Sequence, residues 1–173
     1  MFAIQAGSDT TSGVQTLAFY HLLSNIDCYR KLQAELDAAF PDQSVDMDSE
    51  TLARLPYLNA VVNESLRLGA PFPGLSRVSP NGGAVIDNVF IPGGTVVGVP
   101  AWAQNTSGEN FQPSPELFIP ERWLESQISS ETVISNKSAI MTFSFGTFSL
   151  LLNRILSPSN TPIQVHLAAW GRI

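Results

Sequence analysis

The sequence has few charged residues and no long apolar run. Only 14% of its 173 residues are charged and 44% are hydrophobic, whereas soluble domains average about 25% charged residues. This deficit suggests a surface that something outside this chain covers. The net charge of -6 argues against nucleic acid as a partner. No run reaches the roughly 18 apolar residues of a membrane-spanning helix.

Cysteine is nearly absent as well. The single residue, Cys28, excludes an intramolecular disulfide framework. It has no metal-ligand spacing to another cysteine or to a histidine, so we interpret it as an ordinary core or boundary thiol. The length is sufficient for one domain with a hydrophobic core.

Residues 1–24 have helical apolar spacing, but they include the sequence AGSDTT, whose average helix propensity is poor. In one interpretation Ser8 or Asp9 is an N-cap, the helix begins there, and the preceding residues are frayed. In the other, the helix is continuous. Gly7 then lets a ligand approach the backbone, and Asp9 and Thr10 offer a carboxylate and a hydroxyl at that opening. Taken alone, this segment favours the first interpretation.

The rest of the chain predicts a mainly α fold with small β-sheets. Helices are expected at 26–40, at 49–55 with Asp48 as N-cap, at 56–68 with Pro56 at its start and Gly69 after its end, and at 102–109. Short β-branched runs between prolines and glycines predict strands at 75–79, 83–86, 89–91 and 95–99. Residues 110–140 show little periodicity and are expected to form a long meander. Loops of that length are usually functional or held by specific contacts.

The helix at 56–68 carries Glu64 and Arg67, which lie three positions apart and therefore on one face. The ordinary interpretation is a surface salt bridge worth about 0–1 kcal/mol. Arg122, in the meander sequence Pro-Glu-Arg-Trp, favours another interpretation, because one carboxylate can accept two arginines. A partly buried Glu–Arg–Arg cluster would attach the meander to the helix, and such clusters fix geometry more often than they add stability.

These motifs, in this order, resemble the cytochrome P450 family of haem-thiolate monooxygenases. AGSDTT is similar to the family's oxygen-activation signature, Glu64–Arg67 to its Glu-x-x-Arg helix, Pro120–Trp123 to its meander motif, and Phe143–Gly146 to the opening of its haem-binding loop. The resemblance looks most like fungal or other eukaryotic microsomal members. It implies a partial cytochrome P450 domain over residues 1–149, from the central oxygen-binding helix to the start of the haem-binding loop. Residues 150–173 would be an aberrant tail.

The resemblance also implies site residues and a haem cofactor. Thr10 would hold bound oxygen and a water by hydrogen bonds, and Asp9 would supply protons, so both are candidate catalytic residues. Glu64, Arg67 and Arg122 would form a structural network that holds the meander. The implied cofactor-binding residues are Ala6, Gly7, Arg77 (paired with a haem propionate), Phe143 and Gly146.

One position departs from the family pattern. Leu150 stands at the expected position of the cysteine that ligates the haem iron. Leucine cannot ligate iron, and a thiolate is what promotes O–O cleavage. No metal ligand is therefore predicted, and we expect this chain to be inactive. Our hypothesis is that the tail arises from a frameshift, a retained intron or a mis-set gene boundary.

Two functions stay open at this point. The first is the family's, a haem-dependent monooxygenase that inserts one atom of dioxygen into an apolar organic substrate. The alternative is a non-catalytic remnant with no or weak haem binding. The resemblance implies an NAD(P)H-dependent reductase and a small apolar substrate as partners. It places a full-length relative on the cytosolic face of the endoplasmic reticulum membrane, held by an anchor that this chain lacks.

Overall fold

In a computed structural model of the chain, the described residues are 2–42, 47–74, 76–124, 133–140 and 142, with side chains described from Ser8 onward. The α-helices among them are α1 (Phe2–Ser24), α2 (Ile26–Ala39), α3 (Ser49–Arg54), α4 (Pro56–Leu68) and α5 (Ala101–Asn105). Two 3₁₀ turns follow, Pro120–Trp123 and Lys137–Ala139. No helix within these ranges has both the length and the apolar character needed to cross a bilayer.

Helix α1 is continuous through the AGSDTT sequence. It begins at Phe2, so the interpretation in which a cap at Ser8 or Asp9 starts the helix is wrong. Further along, Val14, Ala18 and Leu22 form a buried stripe at four-residue spacing. Packing of such a stripe outweighs weak local propensity, because most helical stability in proteins comes from tertiary contacts.

Helix α4 is the centre of the described fold. Nine of its 13 residues are buried, and it packs against α1, α2 and α3. The main core cluster combines α1, α2, α3 and α4 with Phe118 of the meander. A smaller cluster combines Ala60 of α4 with Phe111, Trp123 and Ala139.

Local signals set the start of α3 and both ends of α4 as predicted, while α3 ends at Arg54, one residue before the predicted end. Asp48 caps α3 by accepting a 2.7 Å hydrogen bond from the Thr51 amide. Pro56 is the first residue of α4, and Gly69 follows its last residue. Proline suits a first helical position because its missing N–H has no partner there anyway.

The amides at the start of α4 are satisfied from outside the helix. Leu55, its N-cap, has no side-chain acceptor. The carboxylate of Glu35 in α2 is the capping acceptor instead, and it accepts hydrogen bonds from the Tyr57 and Leu58 amides at 2.8 Å each. Its charge also complements the positive end of the helix dipole. This contact fixes α2 against the N-terminus of α4.

The described strands pair as three short antiparallel ribbons. β1 (Arg77–Val78) pairs with β4 (Val96–Val97), β2 (Ala84–Ile86) with β3 (Val89–Ile91), and β5 (Phe111–Gln112) with β6 (Ile134–Ser135). The first four lie within the predicted runs. The two-residue turn between β2 and β3 has positive φ at Asp87 (47°) and Asn88 (62°), the backbone that favours asparagine and aspartate in hairpins. The pairing of β5 with β6 across the meander was not predicted.

Helix α5 begins one residue earlier and ends four residues earlier than predicted. Beyond Asn105, hydroxyl groups compete for the backbone. The Thr106 hydroxyl donates to the carbonyl of Trp102 (2.8 Å), and the Glu109 amide donates to the Ser107 hydroxyl (3.2 Å). The turn therefore leaves helical geometry, and the chain enters β5.

Candidate functional site: a buried glutamate–arginine clamp

Glu64 and Arg67 form a buried ion pair on α4. Both side chains are 0% exposed. Arg67 Nε donates to Glu64 Oε2 at 2.8 Å and Arg67 Nη2 to Oε1 at 2.7 Å, so the contact is bidentate. Since neither group reaches solvent, the interpretation as a weak surface salt bridge does not hold.

Arg122 joins the same carboxylate from the meander. It lies in the 3₁₀ turn Pro120–Trp123, is 1% exposed, and its Nε donates to Glu64 Oε1 at 3.0 Å. The two residues are 58 positions apart in sequence. The Glu–Arg–Arg cluster expected from the sequence is therefore present.

Two further donors complete the site, and sequence reasoning missed both. Trp123 donates its indole N–H to Glu64 Oε2 at 2.9 Å, and the Ile119 amide donates to Oε1 at 2.9 Å. The tryptophan next to Arg122 could have indicated one of these donors, because a buried indole N–H usually needs a hydrogen-bond partner. We use the term clamp for Glu64, Arg67, Arg122 and Trp123.

Backbone carbonyls accept from most of the remaining guanidinium N–H groups; among the described residues, the buried Nη1 of Arg122 has no hydrogen-bond partner. Two buried arginines face one carboxylate, so one positive charge remains uncompensated in a region where burial of charge is costly. Arg67 donates to three carbonyl oxygens, those of Asn105 (2.6 Å), Pro115 (2.5 Å) and Leu117 (3.1 Å). Arg122 Nη2 donates to those of Pro113 (3.1 Å) and Ser114 (3.3 Å). The clamp thus ties residues 113–119 of the meander to α4.

Asn105, at the end of α5, reinforces this attachment. It is fully buried. Its side-chain Nδ2 donates to the backbone carbonyl of Arg67 at 2.8 Å, and its backbone carbonyl accepts from the Arg67 guanidinium group. The reciprocal pair binds α5 to α4. Sequence reasoning missed Asn105, and no local pattern marks it.

Aromatic rings surround the clamp. The Arg67 guanidinium carbon lies 5.0 Å from the ring centroid of Phe111, a distance that allows a cation–π contact. On the α1 side, the ring of His21 stacks on Phe118 at 4.8 Å with an interplanar angle of 3°. Burial lowers the pKa of His21; the charge of Arg67 lowers it further and that of Glu64 opposes the shift. The neutral imidazole is therefore the favoured form in this position.

The other predicted site residues lie elsewhere. Ala6 and Gly7 are within α1, Asp9 is exposed on it and Thr10 is half-buried. Arg77 is exposed on β1 and donates to the carbonyl of Ser76 at 3.1 Å. The clamp's hydrogen bonds given above involve none of these. Phe143, Gly146 and Leu150 lie outside the described residues.

Comparison with known proteins identifies the family. A family model described as Cytochrome P450 matches residues 2–147. The chain belongs to the cytochrome P450 family. It is 41% identical over 144 residues to the cytochrome P450 monooxygenase astJ of Aspergillus oryzae, covering 83% of this chain and 28% of that protein. It is 40% identical over 152 residues to tryprostatin B 6-hydroxylase of Aspergillus fumigatus, covering 87% and 26% respectively.

The chain is also similar to the cytochrome P450 monooxygenase aba2 of Botryotinia fuckeliana, with 39% identity over 145 residues. The chain spans about a quarter of the length of these curated relatives, between 26% and 28%. Helices with small sheets around the clamp therefore form part of a cytochrome P450 fold. The matches to fungal relatives also agree with the resemblance found in the sequence. The limits of the 1–149 domain and of the tail stay predictions.

The family's cofactor is haem, held by a cysteine thiolate. The chain's only cysteine, Cys28, is half-buried on α2 and packs against the core cluster. Burial raises the pKa of its thiol, and a hydrogen bond with Tyr57 only partly offsets this, so the thiolate is disfavoured. Within the described ranges, no group of three or more histidine, cysteine or acidic residues is arranged to hold a metal ion. The environment of Cys28 therefore does not fit the thiolate ligand of a haem.

Proposed function

We propose that this chain derives from a haem-dependent monooxygenase that inserts one atom of dioxygen into a small apolar organic substrate. Electrons would come from an NAD(P)H-dependent reductase. The observation that carries this proposal is the buried carboxylate of Glu64, held by Arg67 and Arg122 at 2.7–3.0 Å. Family membership supports the same reaction class.

The clamp's part in that protein is positional. It binds α5 and the meander to α4, and α4 also holds the residue that precedes the predicted haem-binding loop. The Thr142 hydroxyl donates to the carbonyl of Leu66 at 2.9 Å, one residue before Phe143. A loop that enters from a fixed point has fewer conformations to lose when it binds a ligand. We assign no catalytic step to Asp9 or Thr10 in this chain.

A second function is favoured for the chain as it stands, namely a non-catalytic remnant with no or weak haem binding. Leu150 occupies the ligand position in the sequence, and the environment of Cys28 opposes thiolate formation. Replacement of the thiolate removes the group that drives O–O cleavage. We therefore propose that this chain does not oxygenate substrates by itself.

Haem titration tests the proposal. The purified chain is mixed with haemin, reduced with dithionite and exposed to carbon monoxide, and its absorbance spectrum is recorded. We expect weak or no haem uptake and no thiolate-type band. A thiolate-type band that disappears in Cys28→Ser would overturn the remnant assignment, because Cys28 is the only thiol available.

Two further measurements test the activity of this chain and its origin. Leu150→Cys alone is expected not to restore oxygenation of any substrate with a reductase present, because one ligand does not rebuild the rest of the site. Measured turnover by that variant contradicts this expectation.

Sequencing the transcript and the genomic frames downstream of Ser149 is expected to reveal a Cys-x-Gly in another frame. Its absence from every frame counts against derivation from an intact monooxygenase by a frameshift.

A further inference from the structure

Glu121 lies in the same 3₁₀ turn as Arg122 and Trp123 but contacts a different part of the protein. Its Oε1 accepts hydrogen bonds from Lys31 Nζ at 2.5 Å and from the Tyr57 hydroxyl at 3.1 Å. Lys31 belongs to α2, and Tyr57 is the second residue of α4. The 3₁₀ turn is thus attached near both ends of α4, by Glu121 at the first turn and by Arg122 and Trp123 at Glu64.

This second attachment is partly shielded from water. The Glu121 side chain is 28% exposed and Tyr57 is 7% exposed, and the ammonium group of Lys31 lies 6.0 Å from the tyrosine ring centroid. Burial acts to raise the pKa of Glu121, but the hydrogen bonds from Lys31, the backbone and Tyr57 and the charge of Lys31 together outweigh it, so the pKa lies below its ordinary value. The same hydrogen bond raises the pKa of Lys31. Both groups are therefore charged near neutral pH.

The 3₁₀ turn is short, four residues long. At its borders the Arg122 amide donates to the carbonyl of Ile119 (3.3 Å) and the Leu124 amide donates to that of Glu121 (3.0 Å). A 3₁₀ helix has three residues per turn, so consecutive side chains diverge by about 120°. The direction of Glu121 consequently determines where Arg122 and Trp123 point. A small rotation of the turn would move both away from Glu64.

We propose that Glu121 is a positioning residue for the clamp: its bonds to Lys31 and Tyr57 set the rotation of the 3₁₀ turn, so that Arg122 and Trp123 reach Glu64 together. This role concerns the clamp's geometry and goes beyond the haem chemistry proposed above. Its test uses the full chain without haem, so its failure and that of the proposed function are distinguishable.

Hydrogen exchange measured by NMR tests the role at single atoms. The clamp probes are the Ile119 amide and the Trp123 indole N–H, which both donate to Glu64. The reference is the Gly69 amide, which donates to the carbonyl of Ser65 at 2.8 Å. In Glu121→Gln and in Lys31→Met, we expect about tenfold faster exchange at the clamp probes with the Gly69 rate unchanged.

The matched control and a rescue variant complete the design. Glu50→Gln breaks an exposed ion pair with Arg54 on α3 and is expected to leave all three rates unchanged. The charge-swapped double variant Lys31→Glu/Glu121→Lys restores an ion pair between the two positions but no acceptor for the Tyr57 hydroxyl, so it is expected to rescue clamp exchange in part, to a rate below that of either single variant. Equal acceleration at Gly69 and the clamp, unchanged clamp rates in the single variants, or failure of the swap to rescue them would each overturn the proposal.

Discussion

Trp123 and Glu64 are 59 positions apart, yet the indole N–H of one donates to the carboxylate of the other at 2.9 Å. Both side chains are buried, at 7% and 0% exposure. The tryptophan of the meander motif is thus a hydrogen-bonding member of the clamp as well as an apolar residue of the core. A buried carboxylate with two cationic partners still needs neutral donors for its remaining lone pairs.

Replacing Trp123 with phenylalanine removes this donor and keeps an aromatic ring against Phe111. We expect Trp123→Phe to lower the free energy of unfolding by about 2 kcal/mol, as for a lost hydrogen bond to a charged group. Urea denaturation followed by circular dichroism measures it. Trp102→Phe is the matched control, because Trp102 is 60% exposed and should change stability by less than about 0.5 kcal/mol. Equal effects of the two substitutions would contradict the assigned hydrogen bond.

Arg67 should not be replaceable by lysine. An ammonium group keeps the charge but cannot reproduce a planar fork that bonds the carboxylate and three carbonyl oxygens. We expect Arg67→Lys to destabilise the fold by about 3 kcal/mol or more, as for breaking a buried ion pair. Arg54→Lys serves as the control on an exposed pair, with an expected change of less than about 1 kcal/mol. A change at Arg67 as small as that at Arg54 would show that the bidentate contact of the guanidinium group contributes little to the free energy of unfolding.

Glu35 should contribute to stability through the amides of α4. Glu35→Gln keeps the shape but removes the charge and one acceptor oxygen, so that one of two capped amides loses its partner. The expected loss is about 1 kcal/mol in the free energy of unfolding. Asp37→Asn, an exposed position on the same helix, is the control and should have almost no effect. Faster amide exchange at Tyr57 or Leu58 in Glu35→Gln would locate the loss at the helix start.

His21 should make stability depend on pH. Burial lowers its pKa in the folded chain, with Arg67 adding to the shift and Glu64 opposing it. The unfolded state therefore binds the proton more readily, and stability falls as the pH drops below the ordinary histidine pKa of about 6.5 and through the lowered folded value.

Comparison of the parent chain with His21→Phe isolates this effect. Unfolding free energies are measured from neutral pH down to the acid side, and the difference between the two chains is plotted. We expect the free energy of unfolding of the variant to rise relative to that of the parent as pH falls through that window, because the variant has no imidazole to protonate. A constant difference across the window would rule out the assigned role of His21.

The sequence by itself determined the local features of this protein. The cap at Asp48, the opening of α4 at Pro56, its end before Gly69 and the four strands between residues 77 and 97 follow from turn, cap and propensity chemistry. Such signals act over a few residues and therefore leave a readable pattern. The partnership of Glu64, Arg67 and Arg122 also followed, because charged side chains that share a buried site are few and chemically specific.

Only the tertiary structure decided the rest. The continuity of α1 was one of two open interpretations, and the pairing of β5 with β6 joins segments more than 20 positions apart. The hydrogen bonds of Asn105, Ile119 and Trp123 to α4 join residues 38 to 59 positions apart. Their energies come from burial and from satisfying a buried charge, and no local window of sequence contains either quantity. The same reason explains why AGSDTT is helical against its own propensity: α1 is held by the packed stripe of Val14, Ala18 and Leu22, which lies outside that sequence.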